Sequence, residues 1–115
     1  MTRKLDIKRA YDAPSDGDGQ RILVDRLWPR GLSKEKAQLD HWVREVAPSD
    51  SLRHWFGHDP EKWDEFRRRY IEELRGNGAA VAELRALIGN GPATLVFAAH
   101  DAEHNNAVVL RDFLG

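Results

Sequence analysis

Near the end of the chain, residues 94–99 read TLVFAA, a run with no alternation between apolar and charged positions. A strand with one wet face alternates with period two, so an unbroken run is expected of a strand covered on both faces. Double cover is the habit of parallel sheets, whose crossover connections place helices on both sides. That demand organises the rest of the sequence, where strand-like and helical segments take turns.

Leu5 to Tyr11 alternates loosely, and DAPSDGDG then supplies a dense turn signal before QRILVDRLWP. Read as a second strand, this segment points Ile22, Val24, Arg26 and Trp28 to one face and Leu23, Asp25 and Leu27 to the other. Ser33 is a candidate N-cap for a short polar helix from Lys34 to about Leu39. In HWVREVAPS, Trp42, Arg44 and Val46 alternate with Val43, Glu45 and Ala47, which suggests a third strand. Trp42 and Val46 are also four apart, so a continued helix is the competing reading.

Ser49 or Asp50 can cap a short helix through Phe56, ended by Gly57. Asp59 followed by Pro60 marks another start, after which Trp63, Phe66, Tyr70, Ile71 and Leu74 recur at helical spacing. A further helix over residues 78–88 carries Val81, Leu84, Leu87 and Ile88 and stops at GNGP. Asn105 or Asn106 can cap a last helix bearing Ala107, Val108, Leu110 and Leu114. There are no repeats, linkers or low-complexity tracts, and 115 residues leave room for one core. The expectation is a single compact α/β domain spanning residues 1–115, with a small, mostly parallel sheet flanked by helices.

Hydrophobic residues at 41% and charged residues at 32% suit a folded core with a wet surface and exclude disorder. A formal charge of −1 and an isoelectric point near 6.5 provide no global field for polyanions. Bulk nucleic-acid or membrane-surface binding is therefore disfavoured, and an anionic partner would have to be recognised locally. The basic residues are skewed, with thirteen Arg to five Lys. That skew fits either carboxylate and phosphate recognition or a bias in base composition. Without cysteine there is no disulfide, thiol nucleophile or thiolate zinc site. The N-terminus MTRKLDIKR has no apolar signal core and no run approaches 18 apolar residues, so the expected location is the cytoplasm. No motif calls for a cofactor, and the oligomeric state is not legible.

In parallel sheets ligands sit beyond the carboxyl ends of the strands. Three expected strands end in polar clusters, DRLWPRG, APSDSLR and HDAEHNN, and parallel strands would bring these to one edge. In the first, Asp25 and Arg26 either pair with charges elsewhere and fasten loops, or face a cleft, since an unpaired charge in a dry interior is costly. If they face a cleft, Arg26 and Arg30 form part of an anion clamp, Trp28 a flat wall and Pro29 the turn. In the second cluster Ser49 is a helix cap or an anion ligand, and Arg53, one turn in, is the stronger ligand candidate. His58 is the residue most easily tuned for proton transfer, with Asp25 the alternative acid or base. Asn105 orients a ligand or caps a helix. His100 and His104 are four apart but lie on a strand end and loop, so no metal site is expected. Arg67 to Arg69 read as a solvated helix face.

These stretches resemble the YeaO-like group of small bacterial proteins, a domain of unknown function. The resemblance runs through KRAYD, DG-RILVDRLWPRGLSK, W-REVAPS, LRHWFGH, F-RRYIEEL, TLVFAAHD and NNAVVL, nearly the whole chain. It implies a compact α/β fold and a shared polar site, and no activity. The chain departs from the family pattern at Ala10, where Val is expected, at His100, where Lys or Arg is usual, and at Asn106, where His is common. The departures count against a catalytic role for His100. The expected function is that of a small hydrolase or transferase acting on a phosphate- or carboxylate-bearing metabolite. The alternative is a non-catalytic sensor or binding module using the same cleft.

Overall fold

The computed structural model describes residues 5–115. Four strands form one sheet: β1 (Leu5–Arg9), β2 (Gln20–Leu23), β3 (His41–Trp42) and β4 (Ala93–Phe97). Their order is β1-β4-β2-β3 and every pairing is parallel, so all four carboxyl ends share one edge. Five helices accompany them: α1 (Lys34–Ala37), α2 (Asp50–Phe56), α3 (Trp63–Arg75), α4 (Gly78–Ile88) and α5 (Asn106–Leu114). The fold is α/β, as the unalternating run implied. All five residues of β4 are buried, because it lies between β1 and β2 with side chains covered on both faces.

One face carries the main core. Ile22, Leu95 and Phe97 pack there with Leu52 and Phe56 of α2, Phe66, Tyr70 and Leu74 of α3, and Ala107, Val109 and Leu110 of α5. The helical stripe around Trp63 to Leu74 thus covers the sheet as its spacing predicted. On the other face Ala10, Leu23 and Val96 are covered by Trp28, Leu32, Leu39 and Trp42. This second layer is mostly loop, and two tryptophans stand in for the missing helix. Their rings meet edge to face at 5.6 Å, and each indole N–H reaches a backbone carbonyl, Trp28 to Leu32 and Trp42 to Asp25, both at 2.7 Å.

Several elements are shorter than expected. β2 stops at Leu23 instead of running through DRLWP. Val24 still donates to Val96, at 3.1 Å, but β4 ends one residue later at Phe97. With no neighbour to pair against, Asp25 to Arg30 turn away as a loop, so the strict in–out alternation expected there does not hold. β3 is only two residues long; Val43 makes the last ladder bond, to Leu23 at 2.9 Å, and Arg44–Val46 coil into a 3₁₀ turn. Asn77, which donates to the Glu45 carbonyl at 2.8 Å, and Tyr70, which donates to that of Val46, hold this turn in place. Helix α1 ends at Ala37, with Gln38 left-handed at φ 46°. Pro60–Lys62 forms a 3₁₀ turn capped by Asp59, and the α-helical run begins at Trp63.

Candidate functional site

The shared carboxyl edge opens into a cleft of about 920 Å³. It is lined from all four strand ends: Tyr11 after β1, Asp25 to Arg30 after β2, Ala47 and Pro48 after β3, and Ala98 to Asp101 after β4. Arg53 and Phe56 of α2, His58, Phe66, His104, Asn105 and Asn106 complete the wall. Of the residues singled out in the sequence, Asp25, Arg26, Trp28, Arg30, Arg53, His58 and Asn105 therefore come together. Ser49 is not in the lining. Its hydroxyl caps α2 by accepting from Leu52 N–H at 3.2 Å and donates to Glu73 at 2.7 Å, tying α2 to α3.

The three arginines have donors to spare. Arg26 makes only long contacts, from Nη2 to the carbonyls of Ala47 and Pro48 at 3.4 and 3.5 Å. Its Nε is buried without a hydrogen-bond partner, 3.7 Å from an Asp50 carboxylate oxygen. Arg53 reaches the same carboxylate oxygen at 3.3 Å, and that carboxylate is largely exposed. Such a wet pair contributes about 1 kcal/mol or less. Among the described residues, no hydrogen bond or ion pair engages the exposed guanidinium of Arg30, whose backbone carbonyl accepts the Tyr11 hydroxyl at 2.8 Å.

Asp25 sits deeper. One carboxylate oxygen accepts the Ala98 N–H at 2.9 Å and the other the Asn106 amide at 3.0 Å, and that amide also donates to Val24 O at 3.0 Å. Burial pushes its carboxyl above the ordinary value of 3.8, against the pull of those two donors and of the Arg53 and His58 charges. His58 is exposed on a left-handed backbone, φ 57°, directly after the left-handed Gly57 that ends α2.

Beyond β4 the loop closes on itself. Asp101 accepts the backbone N–H groups of Glu103 and His104, at 2.9 and 3.1 Å, and lies 2.8 Å from the His104 ring nitrogen Nδ1. Those contacts hold the Asp101 carboxyl below its usual range. The His104 ring meets Trp63 edge to face at 5.2 Å. Asn105 is buried; its oxygen caps α5 through Val108 N–H at 3.1 Å and its amide donates to Asp101 O at 2.9 Å. His100 lies 3.4 Å from Arg9, and no cluster of three metal-ligating side chains forms among the described residues.

Sequence reasoning missed Tyr11 as a member of the cleft, and although it brought DRLWPRG and HDAEHNN to this edge it gave no role to Leu27 and did not pair Asp101 with His104. The acid followed three residues later by His in DAEH was a visible signal of a side-chain-closed turn. Nothing in the sequence marked Tyr11, whose place depends on β1 being an edge strand.

The chain matches the family model described as the inactive DUF488-N3 subclade over residues 4–115. It is 39% identical over 110 residues to the uncharacterized protein YeaO of Escherichia coli, covering 96% of each chain. The chain belongs to this family. An uncharacterized protein of Mycobacterium tuberculosis is 43% identical over 111 residues, covering 96% of this chain and 93% of its own. A protein of Mycobacterium bovis, also uncharacterized, matches to the same extent. No solved structure matches. Among the described residues no helix is long and apolar enough to cross a membrane.

Proposed function

We propose that this YeaO-family chain is a binding module that captures a small phosphate- or carboxylate-bearing metabolite in the cleft, without turning it over. The observation that carries the reading is that Arg26, Arg30 and Arg53 line one cleft with most of their N–H donors unspent. An anion would satisfy those donors with charge-assisted bonds, and guanidinium geometry suits the paired oxygens of either group. The description of the matching subclade as inactive supports capture without chemistry. Asp25 supports it as well, because both its oxygens already serve Ala98 and Asn106.

A second reading, a hydrolase or transferase on the same ligand class, draws on the Asp101-held His104, which lines the cleft beside the arginines. A carboxylate at Nδ1 fixes an imidazole for proton transfer at its other nitrogen.

Thermal-shift titration of the wild type and Arg30→Ala with orthophosphate, nucleotides, sugar phosphates and carboxylates tests the proposal. At least one anion is expected to raise the wild-type melting temperature in a concentration-dependent way, and to bind Arg30→Ala about ten- to a hundredfold more weakly, the worth of a charged hydrogen bond. If no anion stabilises the wild type more than the variant, the clamp is removed. Binding that survives His58→Ala and His104→Ala, with no product formed by the wild type, favours the module; turnover abolished by His104→Ala favours the enzyme.

A further inference from the structure

Capture of an anion accounts for only half of the cleft, and the ligand class inferred from the other half rests on that anion-binding reading. A volume of about 920 Å³ lies at the upper end of the roughly 300–1,000 Å³ of small-molecule sites, far beyond the needs of a bare phosphate. Part of its remaining wall is apolar, beside the polar stretch made by Asp25, His58, His104 and Asn106. The two large hydrophobic side chains exposed among the described residues are Tyr11, 44% exposed, and Leu27, 62% exposed, and both line this cleft. Trp28 and Pro29 line it with them. The other large apolar side chains among the described residues are buried or half-buried, so this clustering is not the scatter of single exposed residues that any surface carries.

The wall is also fixed in advance. The Tyr11 hydroxyl is held by the carbonyl of Arg30 at 2.8 Å, and the Arg9 guanidinium lies 5.3 Å from its ring centre. Trp28 is held by Leu32 and by the edge of Trp42. Arg30 joins the two halves, since its carbonyl fixes an aromatic ring while its guanidinium has no protein partner among the described residues. Side chains ordered before a ligand arrives lose little entropy on binding, which favours recognition of a rigid, flat body over a flexible chain.

We infer that the ligand is an organic anion, a phosphate or carboxylate borne on a flat apolar body of aryl or nucleobase kind, because free arginine donors and exposed Tyr11 and Leu27 line one cleft. The body rests on Tyr11, Leu27 and Trp28, and the anionic group meets Arg26, Arg30 and Arg53.

Calorimetric titration of the wild type, Leu27→Ser and Arg30→Ala with orthophosphate, phenyl phosphate, acetate, benzoate and benzyl alcohol tests the inference. Leu27 is exposed, so its replacement does not endanger the fold. Phenyl phosphate or benzoate is expected to bind the wild type at least about tenfold more tightly than its bare counterpart, phosphate or acetate, from the apolar area covered. Leu27→Ser should lower that ratio severalfold, and Arg30→Ala should weaken the aryl anion. Equal binding of bare and aryl anions, or a ratio indifferent to Leu27→Ser, would overturn the inference while leaving the anion reading intact. Binding of benzyl alcohol as tight as that of the aryl anions, or binding of none of the five, would overturn both.

Discussion

Both oxygens of Asp25 are occupied, one by the Ala98 N–H and the other by the Asn106 amide. The residue therefore ties the end of β2 to the end of β4 and the start of α5, and its carbonyl adds Trp42 to the knot. Removing the carboxylate in Asp25→Ala strands two half-buried donors, and denaturant unfolding is expected to show a loss of about 1–2 kcal/mol. The pH dependence has a definite sign. A carboxyl whose folded value lies above 3.8 binds more protons folded than unfolded, so its contribution declines as pH rises from that ordinary value through the raised one. The stability gap between wild type and Asp25→Ala should accordingly be widest at acid pH and narrow towards neutrality. A gap that widens towards neutrality would mean that the Asn106 and Ala98 bonds outweigh desolvation.

At the level of elements, short strands place heavy demands on the turns that set them. Gly19, at φ 64°, precedes β2, and a Cβ there would lie 2.0 Å from the carbonyl oxygen of Pro92. That same carbonyl accepts Gln20 N–H at 3.1 Å, where the pairing of β2 with β4 begins. Gly19→Ala is expected to destabilise by about 2–4 kcal/mol, from left-handed strain and overpacking together, and to lower the melting temperature by well over the effect of Gly17→Ala. Gly17 is the control because a Cβ there meets nothing within 4 Å. The helices are set by simpler devices: Ser33, Ser49 and Asn105 each accept a backbone N–H three residues on.

Across the molecule, charge is buried at both ends of the sheet, with opposite consequences. At the amino-terminal end Asp18 is buried beside the equally buried Arg21, 2.6 Å away, and Lys8, 2.8 Å away. Arg21 in turn donates to the carbonyls of Ala37 and Gln38, so this one cluster joins β1, β2 and α1. Burial alone would raise the Asp18 carboxyl, but Lys8, Ser15 and Arg21 hold it far below 3.8. The unfolded chain then binds the extra proton, so this contribution is fully present above 3.8 and fades as the pH falls below it. Asp18→Asn is expected to cost about 3 kcal/mol at neutral pH, by leaving Arg21 buried without its counter-ion, and to flatten the acid limb of the stability profile. An unchanged acid limb in the variant would move its origin elsewhere. Glu65 and Asp101 are lowered too, but both are solvent-facing and screened, so Asp18 should dominate.

The class of fold and most element starts were legible in the chain alone, because caps, Pro60, Gly57 and the periods of TLVFAA and of Trp63 to Leu74 are local signals. The meeting of polar clusters at one edge was legible too, since parallel strands leave no other arrangement. Where β2 and β3 stop was settled in three dimensions, because a strand lasts only as long as its neighbour and Phe97 ends the neighbour. The same holds for the spending of Ser49 on Glu73, the grip of Asn106 on Asp25, and the place of Tyr11 and Leu27 beside the arginines. Ser49 and Glu73 are 24 residues apart in the chain, and Asp25 and Asn106 are 81 apart. Such partners leave no periodic trace, because side-chain pairing across elements depends on how the layers stack.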